Sequence, residues 1–319
     1  VLNAQPDSDV VFAITSSDTG EATVTSSLTF TNANWNTAQT VTVTGVDDNI
    51  IDGNINSTIT VSVNDGSSDN NFDPVADQTV TATTTDNDVA GFTIAQTGGS
   101  TSVAETGTTD TFTIVLNAQP ASDVVLSIST SDSTETTVTS LLTFTNGNWN
   151  TAQTVTVTGV DDNIIDGNIN STITISVVDA VSDDDFDPVA NQTVTATTTD
   201  NDVAGFTIAQ TGGSTSVAET GTTDTFTVVL NAQPASDVVL SITSSDTGEA
   251  TVNTPLTFTS GNWNTPQTVT VTGVDDNLVD GSINSTITVS VNDGSSDNNF
   301  DPVADQTVTA TTTDNDVAG

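Results

Sequence analysis

Residues 153–167, QTVTVTGVDDNIIDG, contain the two patterns that decide the fold. In the first half valine alternates with threonine, and successive side chains of a β-strand point to opposite faces of the sheet. Val155 and Val157 should therefore face a hydrophobic core, while the intervening threonines face water. The second half, DDNIIDG, combines acids with turn-forming residues. The stretch predicts a half-buried strand that ends in a carboxylate-rich loop.

The stretch recurs at a fixed interval of 114 residues. GVDDN begins at Gly45, Gly159 and Gly273, VLNAQP at Val1, Val115 and Val229, and FDPVA at Phe72, Phe186 and Phe300. Repeats of about 20–50 residues indicate solenoids or propellers, whereas this interval matches an independent domain. We predict three repeats, 1–88, 89–202 and 203–319, which are joined through TTTDNDVAGF without a Pro- or Gly-rich spacer.

The second repeat predicts only strands and turns. Seven short segments alternate apolar residues with Thr or Ser, namely GFTIAQ, DTFTIVLN, DVVLSIST, LLTFT, QTVTVTGV, STITISVV and QTVTATTT. High net charge with few aromatic residues is the composition of disordered chains, but such alternation is not. About seven strands with regularly spaced turns favour an all-β fold of immunoglobulin-like β-sandwiches, here in an extended tandem array.

The two ends of the sequence fall inside this pattern. The first repeat begins within the counterpart of the strand that starts at Asp110 and lacks the opening strand, and the third ends at Gly319, before the next FTIAQ. We expect a window from a longer array. The alternative is that strand addition from an identical chain completes the first sandwich. The expected partners are neighbouring repeats and, in that case, identical chains.

Composition excludes several classes of function. Lys, Arg, His, Cys, Met and Tyr are absent, and 42 acids give a formal charge of −42. Without cationic side chains the chain cannot neutralise nucleic-acid phosphates or an anionic membrane surface. No apolar run is long enough to cross a bilayer. The usual bases and nucleophiles are missing, so an enzyme is not expected. Clustered acids must be neutralised by cations from solution.

Calcium is the cation that these residue types favour, because it takes six to eight oxygen ligands, whereas zinc and copper sites are built on His or Cys. The strongest cluster is DDNIIDGN, in which Asn163 and Gly167 would let the loop curl around one ion. Its acids in the three repeats are Asp47, Asp48 and Asp52; Asp161, Asp162 and Asp166; and Asp275, Asp276 and Asp280.

Each complete copy resembles the Calx-β family of immunoglobulin-like domains. The resemblance is carried by SVAETG, LTFTNGNW, VTVTGVDDNIID and the closing TTDND. It implies that calcium is bound by the early Glu (Glu105, Glu219), by the Asp pair, by Asp166 where the family often has Glu, and by acids at the domain end (Asp86, Asp88, Asp200, Asp202, Asp314, Asp316). The family's Gly-x-Asp-Tyr segment is replaced by STETTVTSLLTF, which leaves a second ion open.

Two further motifs have plainer interpretations. The acid run SDDDFDP, from Ser182, is predicted to be a solvated loop, since other copies read SSDNNFDP. The single Trp of each repeat is predicted to pack rather than to stack on a ligand.

The leading hypothesis is a non-catalytic structural repeat of an extracellular adhesin, surface fibre or filament, from a bacterium, that Ca²⁺ makes rigid at loop and inter-domain acidic sites. The alternative is a Ca²⁺-dependent module that binds glycans or other ligands. Ice binding through Thr-x-Thr rows is a third idea, which twisted sheets fit poorly.

Overall fold

A computed structural model describes residues 1–319 and confirms the all-β fold of tandem sandwiches. The chain forms 24 strands and six short 3₁₀ turns, and it contains no α-helix. No helix is long and apolar enough to span a membrane.

The second repeat has nine strands, two more than the seven that the sequence predicts. They are β7 (Phe92–Gln96), β8 (Thr101–Ala104), β9 (Thr109–Leu116), β10 (Val124–Thr130), β11 (Thr136–Val138), β12 (Leu141–Phe144), β13 (Gln153–Gly159), β14 (Ile169–Val177) and β15 (Gln192–Thr199). One sheet has the order β12-β10-β14-β15-β8 and the other β11-β13-β9-β7. The added strands, β8 and β11, have only four and three residues, too few for a visible alternation. All pairs are antiparallel except β8 with β15.

The third repeat copies this arrangement. Its strands are β16 (Phe206–Gln210), β17 (Thr215–Ala218), β18 (Thr223–Leu230), β19 (Val238–Ser244), β20 (Ala250–Val252), β21 (Leu256–Phe258), β22 (Gln267–Gly273), β23 (Ile283–Val291) and β24 (Gln306–Thr313). They form a five-stranded sheet, β17-β24-β23-β19-β21, and a four-stranded sheet, β16-β18-β22-β20.

The first repeat is a smaller version of the same sandwich. Its strands are β1 (Val10–Ser16), β2 (Ala22–Val24), β3 (Ser27–Phe30), β4 (Val43–Gly45), β5 (Ile55–Val63) and β6 (Gln78–Thr84). Residues 1–88 contain no counterpart of β7, β8 or β9, so one sheet has four strands and the other has two. The sequence predicted the loss of the opening strand alone, but Val1 and Leu2, which align with the end of β9, lie in no strand. Val43 is consequently 41% exposed, whereas its counterpart Val157 is fully buried.

The cores follow the predicted alternation. Val155 and Val157 of β13 are both fully buried, as the sequence predicts, and the threonines between them lie on the other face. The second repeat buries a cluster of 17 apolar residues and the third a cluster of 18, whereas the largest cluster in the first has three. Burial of apolar surface is the main force that stabilises such domains, so the second and third repeats each have a core of their own.

Gly159, the last residue of β13, lies where β8 approaches most closely. A Cβ at this position would lie 2.1 Å from the carbonyl oxygen of Ala104. Gly273 stands in the same relation to Ala218. Only glycine therefore allows the end of β8 to lie over the end of β13, and this contact places Glu105, the residue after β8.

Consecutive repeats touch through the loop after β4 in the first repeat and the loop after β13 in the second. We call each such contact a joint. In the first joint, Asn49–Ile51 of the first repeat contacts the second repeat. In the second joint, Asn163–Ile165 of the second repeat contacts the third repeat. In both joints a parallel β-bridge forms, in which the Asn carbonyl accepts a hydrogen bond of 2.7 Å from the N–H of Gln119 or Gln233. Ile51 and Ile165 pack against the core of the following repeat. The joints therefore combine a backbone hydrogen bond with apolar packing.

The two joints differ in one hydrogen bond. In the second joint Asn299 Nδ2 donates to the carbonyl oxygen of Ile165 at 3.0 Å. The counterpart of Asn299 in the first joint is Asp185, which lines the same groove as Ile51. An ionised carboxylate and a carbonyl are both acceptors and cannot pair. The first joint therefore lacks a side-chain hydrogen bond that stabilises the second joint.

The substitution Asp185→Asn should tighten the first joint. The new amide would be able to donate to Ile51 as Asn299 does to Ile165. Since the chain has no cysteine, spin labels can be placed on the exposed positions Thr58→Cys and Thr172→Cys, and the distance distribution between them should narrow. Asp184→Asn is the matched control, because it removes the same charge from the adjacent residue. If the distance distribution of the Asp185→Asn variant is as wide as that of the parent chain, the missing hydrogen bond does not loosen the first joint.

Candidate metal site

Four connections of the second repeat bring carboxylates to one place. Glu105 follows β8, Glu135 precedes β11, one group of aspartates lies in the loop between β13 and β14, and another follows β15. We call this set the acid cluster; in the second repeat it consists of Glu105, Glu135, Asp161, Asp162, Asp166, Asp200 and Asp202. Gly167 has a φ of 75°, which lets the β13–β14 loop curl as expected. Asn163 contributes no such turn, because no residue other than glycine has a positive φ.

The cluster contains two groups of three carboxylates that share one residue. Oxygen atoms of Glu105, Glu135 and Asp166 lie within 4.8 Å of one another, and so do those of Glu105, Asp200 and Asp202. The third repeat repeats both groups, as Glu219 with Glu249 and Asp280, and as Glu219 with Asp314 and Asp316. This spacing lets neighbouring oxygens ligate a common cation.

The Asp pair lies beside these groups rather than within them. Asp161 Oδ1 accepts a hydrogen bond from Asn201 Nδ2 at 3.0 Å, and Asp162 Oδ1 accepts one from the N–H of Ile164 at 2.7 Å. Asp275 and Asp276 accept the matching bonds in the third repeat. One oxygen of each residue therefore holds the loop in shape, and the pair's role as metal ligands stays a prediction.

The first repeat has only part of the cluster. Glu21, Asp48 and Asp52 have oxygens within 4.8 Å of one another, whereas Asp47 stands outside this group. Asp86 accepts hydrogen bonds from the N–H groups of Asp52, Gly53 and Asp88. Asp86 and Asp88 form no group of three, since residues 1–88 contain no counterpart of Glu105.

The cluster buries negative charge that no group of the chain neutralises. Glu105 is 1% and Glu135 4% exposed. Glu135 Oε2 and Asp202 Oδ2 have no hydrogen-bond partner, and the same is true of Glu219 Oε1, Glu249 Oε2 and Asp316 Oδ2 in the third repeat. An ionised carboxylate that is buried without a partner is strongly unfavourable. The all-oxygen donor set and its unpaired buried oxygens therefore fit a hard cation such as Ca²⁺.

The pKa values of the cluster's carboxyl groups also reflect this unfavourable burial of charge. Burial, followed by repulsion from Asp166 and Asp162, raises the pKa of Glu135 to about 7. Burial also raises the pKa of Glu105, Asp202 and Glu249. Without a cation, Glu135 therefore retains a proton up to a pH of about 7.

Metal-free protein should lose stability as the pH rises from about 4.5 to about 7. The folded state holds a proton on Glu135 over this interval, while the unfolded state, with a pKa of 4.5, has released it. Because the folded state then binds more protons, the free energy of unfolding falls with increasing pH. Thermal melts in chelator at pH 5, 6 and 7.5 measure the effect, and the double variant Glu135→Gln/Glu249→Gln should flatten it. A melting temperature that climbs over this range in the parent chain would contradict it.

Glu135 and its counterparts are the residues that the sequence analysis missed. They lie in the segment that replaces the Gly-x-Asp-Tyr motif, so they match no expected ligand. A signal was nevertheless present, because all five glutamates of the chain occupy one of two repeat positions, those of Glu105 and Glu135. Both positions lie in the cluster, and aspartate supplies every other acid.

Two neighbouring motifs serve the fold. Asp183 is 6% exposed rather than solvated, since its Oδ2 accepts a hydrogen bond from the N–H of Ser122 at 2.8 Å; for this residue the solvated-loop prediction was wrong. Trp149 packs against the core of its repeat, and its carbonyl accepts a hydrogen bond from the N–H of Leu116. The prediction of a packing aromatic is confirmed.

Comparisons with known proteins give a likeness of fold. No family model matches the chain, and no curated protein matches it. A structure of domains 4–9 of the surface layer protein SbsC aligns with 95% of this chain at 19% identity and a TM-score of 0.30; the chain spans 39% of its length. A structure of the calcium binding domain CBD12 of CALX1.1 aligns with 62% of the chain at 14% identity and a TM-score of 0.27, over 79% of its own length. Identities and scores this low describe a similar kind of β-domain and nothing more specific.

Proposed function

We propose that this chain is a non-catalytic structural repeat of an extracellular surface protein or filament, and that Ca²⁺ stabilises its sandwiches at the acid cluster. The observation that carries the proposal is the set of buried carboxylate oxygens without partners in a chain that has no Lys, Arg or His. The resemblance of the motifs to Calx-β domains agrees with it.

In the second repeat Glu105, Glu135, Asp166, Asp200 and Asp202 would hold the ion. Because Glu105 belongs to both groups of three, each complete repeat offers two adjacent positions. Ca²⁺ would supply charge neutralisation and would tie together four connections that are far apart in sequence. No reaction is required of it.

The acid cluster also adjoins the joint, which links ion binding to the length of the array. The loop that carries Asp166 also carries Ile164 and Ile165, and Ile165 packs against the following core. Asp202 is followed at once by Val203, the first residue of the next repeat. An ion that fixes this loop would therefore also limit motion between repeats, as a rigid spacer requires.

Calcium titration by calorimetry tests the proposal. Sites in extracellular modules have dissociation constants of about 0.1–1 mM. The parent chain should bind at least one ion in each of the second and third repeats. The double variant Glu135→Gln/Glu249→Gln, which removes one charged ligand per repeat, should bind at least about tenfold more weakly, because affinity follows the number of charged ligands.

Asp184→Asn is the matched control for this titration. Asp184 is an exposed acid outside the cluster, and the same position is Asn70 and Asn298 in the other repeats. The variant should bind calcium as the parent does. Equal weakening in the control and the double variant would point to general charge screening rather than to a site, and absence of binding by the parent chain would refute the proposal.

A further inference from the structure

The second repeat differs from its two neighbours at one end of its five-stranded sheet. Residues 178–185 read VDAVSDDD, whereas the corresponding segments of the first and third repeats, 64–71 and 292–299, both read NDGSSDNN. Leu141 of the second repeat corresponds to Ser27 and Pro255. The second repeat thus gains apolar side chains and two aspartates where both other repeats agree on Asn, Gly and Ser.

The sheet places these apolar residues side by side. Leu141 of β12 is the cross-strand partner of Ser127 in β10, and Val125 lies two residues before Ser127, on the same outer face. The N–H of Val178 donates to the carbonyl of Val125 at 2.9 Å, and the N–H of Val181 donates to the carbonyl of Val178 at 3.1 Å. Cross-strand and diagonal neighbours of this kind touch through their side chains. We call Val125, Leu141, Val178 and Val181 the apolar patch.

The apolar patch is open to solvent although both neighbouring repeats are in place. Leu141 is 57% and Val181 60% exposed, and Val125 and Val178 are half-buried. The groove of the first joint uses a later part of the same loop, from Asp185 onward. A contiguous apolar surface with a polar rim is typical of a site that contacts another molecule.

The rim of the apolar patch is acidic. Asp179 follows Val178 directly, and Asp184 adds a charge that both other repeats lack. Burial, followed by repulsion from Asp179 and Asp184, raises the pKa of Asp187. No Lys, Arg or His of the chain can neutralise these carboxylates. Since complementary charge guides association, the rim favours a cationic partner, and a second copy with its formal charge of −42 has the wrong sign.

We propose that the apolar patch binds a basic segment of another protein, in which apolar side chains alternate with Lys or Arg. The apolar side chains would cover Leu141 and Val181, and the cations would pair with Asp179 and Asp184. The nine residues of β14 separate this surface from the loop that carries Asp166. The proposal therefore adds a binding role to the structural one and does not rest on calcium.

Methyl NMR spectra of the full chain test the proposal, with a short peptide of alternating lysine and leucine as the probe. The methyl signals of Leu141, Val178 and Val181 should shift on binding. The affinity should fall between 50 mM and 0.5 M NaCl, because salt screens the ion pairs. A lysine–serine peptide of the same charge and a glutamate–leucine peptide of the same apolar content should each bind at least about tenfold more weakly, since each retains only one of the two contributions.

The triple variant Leu141→Ser/Val178→Asn/Val181→Ser gives the apolar patch the residues of the first repeat and leaves every charge in place. It should bind the lysine–leucine peptide at least about tenfold more weakly, because the apolar area that the peptide covers is lost. Thermal melts establish that the variant is folded. Equal affinity of the parent and this variant would overturn the proposal, because the charge of the whole chain would then explain the binding.

The reverse transfer is the matched gain of function. In the first repeat the N–H of Asn64 donates to the carbonyl of Val11 at 2.8 Å, as Val178 does to Val125. The variant Ser27→Leu/Asn64→Val/Ser67→Val should therefore bind a second peptide, at the first repeat. Shifts that spread over the acidic loops of all three repeats would contradict the proposal. Dimers of the parent chain in sedimentation velocity that Leu141→Ser abolishes would identify a second copy as the occupant instead.

Discussion

Removal of calcium is expected to lower the melting temperature of the second and third repeats by about 10 °C. At a free concentration one hundred times the dissociation constant, a single site adds about 2.7 kcal/mol to the free energy of unfolding. For a domain of this size, each kcal/mol corresponds to a shift of roughly 4 °C. The comparison is made between 10 mM CaCl₂ and excess EGTA at pH 7.5 and constant ionic strength.

Each repeat carries its own reporter for this measurement. Trp35, Trp149 and Trp263 lie one in each repeat, so variants with two Trp→Phe substitutions follow one repeat at a time by fluorescence. The first repeat is the internal control, since it holds only one group of three carboxylates and should respond least. Equal shifts in all three repeats, or the same shift with MgCl₂ as with CaCl₂, would contradict selective binding at the acid cluster.

The substitution Gly159→Ala should destabilise the second repeat by about 3 kcal/mol or more. Its Cβ would lie 2.1 Å from the Ala104 carbonyl oxygen, a backbone atom that cannot turn away as a side chain can. Overpacking of a well-packed position typically costs 1–3 kcal/mol, and here a strand must move. Since β8 leads directly into Glu105, calcium affinity should fall in the same variant.

The first repeat provides the matched control. A Cβ on Gly45, the counterpart of Gly159, would meet only Thr84 Cγ2, at 3.7 Å, which is an ordinary contact. Gly45→Ala should leave the melting temperature of the first repeat unchanged or raise it slightly, because alanine loses less backbone entropy than glycine on folding. Similar losses from Gly45→Ala and Gly159→Ala would mean that the approach of β8 is not the cause.

The alternation of apolar residues with threonine was enough to predict the sandwich class and the inward face of β13. It could not reveal β8 or β11, because strands of four and three residues have no readable period. β8 is also defined by its parallel pairing with β15, whose partner residues lie about 95 positions away. Such pairings are decided by packing over long sequence distances.

The candidate site was predictable where motif and repeat coincide, as at Glu105 and Asp166. Glu135 was missed because its carboxylate reaches the cluster only when β11 pairs with β13.

The joints between repeats were missed for a related reason. Ile164 and Ile165 look like any apolar pair within an acidic loop, and only the folded structure lays them on the following repeat.

Each 114-residue unit carries both surfaces that a joint needs. One is the loop that contains Asn49–Ile51 or Asn163–Ile165, and the other is the face around Gln119 or Gln233 that receives the loop of the preceding repeat. An insertion or deletion of whole units therefore recreates a complete joint at the new boundary, with no compensating substitution. Recombination between the nearly identical copies could lengthen or shorten the array in single steps. A change in the number of repeats therefore preserves the backbone bridge and the apolar packing of every joint.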